Sequence, residues 1–222
     1  MSDVREWQSH PSYTHEREVG AIQQLLTNPE TVLFIGSYGA TLSSFFENTQ
    51  TKHLLARDVN EVPDSVDHAY NVSSYNDLPS LDDYDGIIAP KVDWPKRPTN
   101  LLQSLQGAVG NDGQVIIETV DETSEYTSVL EQLKPEIKGA MFNERLLLLE
   151  LLTKAFSVER YQVSTTYHFQ SIDDYILYFN QHANHEWGRK LSKAEKQRLG
   201  KFGEQVGYDN LGERAVLLSC KP

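Results

Sequence analysis

Short, unbroken apolar runs, each followed by a helical pattern, constrain this chain more than any other feature. "TVLFIG", residues 31–36, is a continuous hydrophobic stretch that stops at a glycine. A strand with one wet face alternates in polarity, whereas an unbroken run is covered on both faces, as in the middle of a parallel sheet. The rhythm recurs. "KHLLARDV" is a second strand ending at Asp58, "HAYNVS" a weaker third and "YDGIIAP" a fourth. "GQVIIET" is a fifth, entered through the turn "NDG". Helical patterns fall between them at intervals of roughly 25 to 30 residues, which implies an α/β fold with a parallel sheet wrapped by helices on both sides.

The helices are read from spacing. "EREVGAIQQLL" puts Val19, Ile22, Leu25 and Leu26 on one face, and Asn28 and Pro29 stop it. "ATLSSFF" puts Leu42, Phe45 and Phe46 together in a helix expected to begin near Thr41, and "NLLQSLQGAVG" aligns Leu101, Leu102, Leu105 and Val109. "NERLLLLELLTKAF" is apolar almost all round and is expected to be deeply packed. "VERYQVSTTYHF" is a sixth strand, residues 171–207 hold one or two helices, and "RAVLLSC" is a seventh strand. The whole chain reads as a single domain. Residues 1–28 form an N-terminal arm and helix, and residues 119–143 are the expected place of a lid or insertion.

Composition narrows the function classes. The chain has 222 residues, of which 39% are hydrophobic and 23% charged, and a formal net charge of −12. An acidic surface repels phosphate backbones, so no direct nucleic-acid binding is expected. No run approaches the ~20 apolar residues of a membrane span, and "MSDVREWQSH" lacks the apolar core of a signal peptide. The expectation is a cytoplasmic protein. A lone cysteine, Cys220, permits neither an intramolecular disulfide nor a thiolate metal cluster. "NQHANHEW" carries His182, His185 and Glu186, but no third ligand stands at a diagnostic spacing, so no metal is expected. "KLSKAEKQR" is the main basic cluster, either a solvated helix face or a docking site for an acidic protein partner.

The order of elements from about Glu16 to Pro222 resembles the class I S-adenosylmethionine-dependent methyltransferases. The matching stretches are "TVLFIGSYGA", "HLLARDV", "YNDLPSLDDYDGIIAP", "LLQSLQGAVGNDGQVIIET" and the tail "AFSVERYQVS…RAVLLSCKP". The resemblance implies a Rossmann-like three-layer sandwich with a seven-stranded, mostly parallel sheet whose last strand is antiparallel between its neighbours. It implies S-adenosylmethionine as cofactor, held by the turn Gly36, Ser37, Tyr38 and Gly39, by Asp58 and Val59 after the second strand, by Ser74 and Tyr75 ahead of the Leu-Pro pair, and by Ala89 in the fourth strand. The turn departs from the family pattern acid-x-Gly-x-Gly-x-Gly. Phe34 stands in place of the acid, Tyr38 in place of a glycine and Ala40 in place of another. Ser74 or Tyr75 stands where an acid meets the adenine, so Asp58 alone remains of three acidic contacts. Cofactor binding is therefore expected to be weak.

Methyl transfer asks the protein mainly to position a nucleophile against an already activated sulfonium. Candidates lie over the strand ends: Lys91, Asp93 and Trp94 after the fourth, Glu118 at the end of the fifth, His168 near the end of the sixth, and Tyr13 and His15 on the arm. Asp93 and Trp94, with Tyr13, are the leading set, since an acid beside an aromatic suits a cationic or amine small-molecule substrate. The alternative is a domain of the same fold that no longer catalyses and serves as a binding or scaffold subunit. A dehydrogenase is disfavoured by the lack of a Gly-x-Gly-x-x-Gly turn.

Overall fold

The computed structural model describes residues 16–56, 62–72, 83–90 and 99–222. Seven strands form one sheet: β1 (Thr31–Ile35), β2 (Thr51–Ala56), β3 (His68–Asn71), β4 (Tyr84–Pro90), β5 (Val109–Val120), β6 (Ser157–Tyr167) and β7 (Leu211–Lys221). Their order is β3-β2-β1-β4-β5-β7-β6. β7 runs antiparallel between β5 and β6, and the other neighbours pair in parallel. The mixed sheet expected from the sequence is thus present, with the topology of a Rossmann-like methyltransferase fold.

Helices cover both faces. On one lie α1 (Glu16–Leu25), α2 (Gly36–Ser43), α4 (Glu125–Leu133), α6 (Ile172–Trp187) and α7 (Lys193–Val206), packed on Val32, Phe34, Ile88, Ile116 and Leu217. On the other lie α3 (Thr99–Ala108) and α5 (Ile137–Ala155), packed on Leu33, Ile35, Ile87, Val115 and Leu218. Successive strand residues therefore feed opposite cores, which is why β1 and β4 read as unbroken apolar runs. The entrance of β1 is held by β4: the Asp85 carboxylate accepts from the backbone amides of Glu30 and Thr31, both at 2.9 Å.

Three expectations are corrected. β5 begins at Val109, not at "GQVIIET", and the "NDG" segment lies inside it. Three residues of β4, Tyr84 to Gly86, stand against six of β5, Val109 to Gln114, so the segment is a bulge. Gly113 is obligatory there, because an added Cβ would meet the Tyr84 carbonyl oxygen at 2.6 Å and Val109 Cγ2 at 2.7 Å. Val109, placed on a helix face by its spacing, is a buried strand residue. Second, α5 is not deeply packed. Leu148 and Leu152 are buried, whereas Phe142, Leu146 and Leu147 are 42%, 47% and 46% exposed. A helix lying on one side of a sheet hides only one stripe, however apolar its other sides are. Third, α2 starts at Gly36, five residues ahead of Thr41.

Cys220 is fully buried in β7, and burial pushes its thiol up to about 12. It should resist a disulfide reagent at pH 8 until the protein unfolds, a rate readable by absorbance with and without denaturant. Gly113→Ala should lower stability by about 1–3 kcal/mol, the usual effect of overpacking, measured as a reduced urea midpoint at unchanged slope.

Candidate functional site

The strand order reverses between β1 and β4, and in an open α/β sheet this is where a crevice forms beyond the carboxyl ends of the strands. β1 passes into α2 without an intervening loop. Gly36 makes the bend alone, with φ +86°, a backbone region that residues with a Cβ rarely adopt. Ile35 at the N-cap offers no side-chain acceptor, so the first amides of α2 are left to the carboxyl edge of the sheet.

The remaining turn residues are built into the core. Phe34 is fully buried, edge-to-face on Phe46 at 5.3 Å. A Cβ added at Gly39 would lie 3.2 Å from the Phe34 Cβ and 3.3 Å from its carbonyl carbon, so α2 presses directly on β1. Tyr38 points inward, 2% exposed, and its hydroxyl donates to Glu18 Oε2 at 2.7 Å. Glu18 is 1% exposed and shares the core face of α1 with Ile22, four residues on. A buried carboxylate therefore stands beside the turn even though Phe34 supplies none. Composition gave no hint of it, but its spacing with Ile22 and Leu26 marks it as an acid on an apolar face.

The same edge of the sheet carries Glu118. It pairs in register with Pro90 of β4 and Leu217 of β7, is 1% exposed, and shares a face with Ile116 two residues earlier. Beyond it the chain turns through Asp121 and Glu122. Arg145 of α5 reaches both, at 4.0 Å and 2.5 Å. Burial raises the Asp121 carboxyl, but hydrogen bonds from the Thr123 side chain and backbone, with the charges of Arg145 and Arg214, outweigh it and hold the group below its ordinary value. This clamp, unread in the sequence, ties α5 to the end of β5.

Of the sequence-derived site residues, Gly36, Ser37, Tyr38 and Gly39 lie together in the first turn of α2. Ala89 is in β4, its methyl in the core cluster of the opposite face. Asp58, Val59, Ser74, Tyr75, Asp93, Trp94 and Tyr13 lie outside the described residues, as do Lys91 and His15. His168 is exposed just past β6. His182 is buried, with Nδ1 3.1 Å from the Tyr126 hydroxyl and Trp187 edge-on at 5.7 Å.

The fold has solved relatives in shape. A candidate methyltransferase from an antibiotic biosynthesis pathway of Anabaena variabilis superposes with a TM-score of 0.59 at 15% identity, over 91% of this chain and 96% of its own. A candidate methyltransferase from Bacillus halodurans gives 0.54 at 13%, over 91% and 97%. A precorrin-8w decarboxylase from Methanobacterium thermoautotrophicum gives 0.54 at 10%, over 96% and 95%. No family model matches the chain, and no curated protein matches it. The fold is that of the class I methyltransferases. Among the described residues, no helix is long and apolar enough to cross a membrane.

Arg145→Ala removes the cation that Asp121 and Glu122 share, leaving only Arg214 near Asp121, and should cost about 3 kcal/mol, as for a buried pair broken on one side, read from urea unfolding. The depressed Asp121 carboxyl stabilises the fold at pH values above its ordinary range. That contribution should fade as pH falls through its folded-state value. Asp121→Asn should flatten the acid limb of the stability profile.

Proposed function

We propose that this chain binds S-adenosylmethionine in the crevice between β1 and β4 and transfers its methyl group to a small molecule. The observation that carries the reading is the β1–α2 junction: a glycine at positive φ, at the point of strand-order reversal, opening an uncapped helix. The shape of the two candidate methyltransferases above supports it.

The residues fit the cofactor at this turn in an altered way. Gly36 leaves room for close backbone approach. Glu18, steadied by the Tyr38 hydroxyl, is the acid for the ammonium group in place of Phe34. Asp58 and Val59 are assigned to the ribose, Ser74 and Tyr75 to the adenine, and Asp93, Trp94 and Tyr13 to the acceptor. When bound, the cofactor supplies an electrophilic methyl on sulfur, and the chain's own task is to orient the acceptor and exclude water.

A second reading, a binding or scaffold subunit of the same fold, draws on the same turn. Tyr38 and Phe34 fill space that a glycine-rich loop leaves open.

Calorimetric titration with S-adenosylmethionine and S-adenosylhomocysteine separates the two. The expected outcome is weak binding, with Kd in the tens of micromolar or above. Loss of a charged acceptor should weaken it by about 1.5–3 kcal/mol, so Glu18→Gln should raise Kd by roughly 10- to 150-fold. Low-micromolar binding by the wild type would remove the altered-turn account, and no binding at millimolar ligand would favour the scaffold.

A further inference from the structure

α7 carries an unusual surface for so acidic a chain. With α4 it borders a groove of about 390 Å³, lined by Gln132 of α4 and by Gln197, Arg198, Lys201, Phe202 and Gln205 of α7. Arg198, Lys201 and Gln205 follow at helical spacing of three and four residues, so they form one stripe along the helix. Among the described residues, no carboxylate lines the groove. Glu204 follows Lys201 by three residues on α7, outside the groove lining, and two other nearby acids are engaged elsewhere. Glu195 holds Arg189 through both oxygens, at 2.8 Å and 3.0 Å, and closes the capping box with Ser192. Glu131 pairs with Lys138 at 3.7 Å. Among the described residues, no carboxylate lies within 4 Å of the Arg198 or Lys201 cation, and both side chains are exposed.

We propose that the α4–α7 groove docks an acidic peptide segment of a partner protein. The chain's net charge is −12, so two free cations in one concave site are a local reversal of field, and charge complementarity selects an anionic partner. Three glutamine amides beside them offer donors and acceptors suited to a peptide backbone, and Phe202 supplies an apolar contact. An extended peptide sets alternate side chains on one face, about 6.6 Å apart. Arg198 and Lys201 lie about 4.5 Å apart along the helix axis, within reach of carboxylates at positions i and i+2. The helix that carries the groove is capped at both ends: the capping box fixes the start of α7, and Gly207 at φ +84° ends it.

The test is fluorescence anisotropy at low salt with a labelled peptide containing Glu-Ala-Glu-Ala-Glu, a matched Gln-Ala-Gln-Ala-Gln peptide, and a short single-stranded oligonucleotide of equal charge. The acidic peptide should bind, and its affinity should fall with salt. Arg198→Ser with Lys201→Ser should weaken it about tenfold or more while circular dichroism and Tm stay unchanged, since both side chains are exposed. Absence of binding, equal binding of the glutamine peptide, an unaffected double variant, or tighter binding of the oligonucleotide would each overturn the proposal. Cofactor titration with the same double variant should match the wild type, so this result stands or falls apart from the methyltransferase reading.

Discussion

β1 is hydrogen-bonded on both edges and covered on both faces, and the rest of the molecule is arranged around that burial. Both neighbours follow it in the chain, β2 pairing on one edge and β4 on the other, which creates the reversal of strand order. Each of its last four residues is buried. Its backbone can be satisfied only by those two strands, because a buried amide without a partner is costly. The Asp85 carboxylate at its entrance and Gly36 at its exit fix where the strand starts and stops.

The same rigidity limits what the first turn can be. An acid in place of Phe34 would enter a fully buried site packed by Phe46 and by the backbone at Gly39. The chain instead keeps its carboxylate on α1, one helix away, bridged back by Tyr38. Read as a string, the turn has no acid; packed beside α1, it has one within reach of Tyr38. One fold hosts many functions, and the side chains at such a crevice, not the sheet itself, decide which.

Much of the architecture was legible because burial leaves a direct trace in polarity. β4 matches "YDGIIAP" residue for residue, and the antiparallel insertion of β7 agrees with the order of elements. Less was legible where a residue's fate depends on a distant neighbour. The bulge in β5 arises from the register against Tyr84 and Gly86, which local sequence does not encode. The exposed leucines of α5 look like core residues because side-chain type says nothing about which side of a helix is covered. Glu18 and Arg145 escaped notice for the same reason. A lone acid or arginine is ordinary until its partner, 20 or 23 residues away, is in place. Of the candidate site, the turn and Ala89 are placed, while Asp58 and the acceptor-side residues fall outside the described segments.

The position of β7 bears on the order in which the molecule can be made. The strand lies between β5 and β6, yet it follows both in the chain. When β6 leaves the ribosome it has no neighbour to join, since β7 is its sole sheet partner among the described residues, and β5 is paired along one edge only. The fully buried Val216 and Leu217 that join the two halves of the core arrive last. Native assembly must therefore wait for residues 211–221, and until then two strand edges stand open to other nascent chains. Strand edges left open in this way are prone to association with other chains until β7 fills the gap.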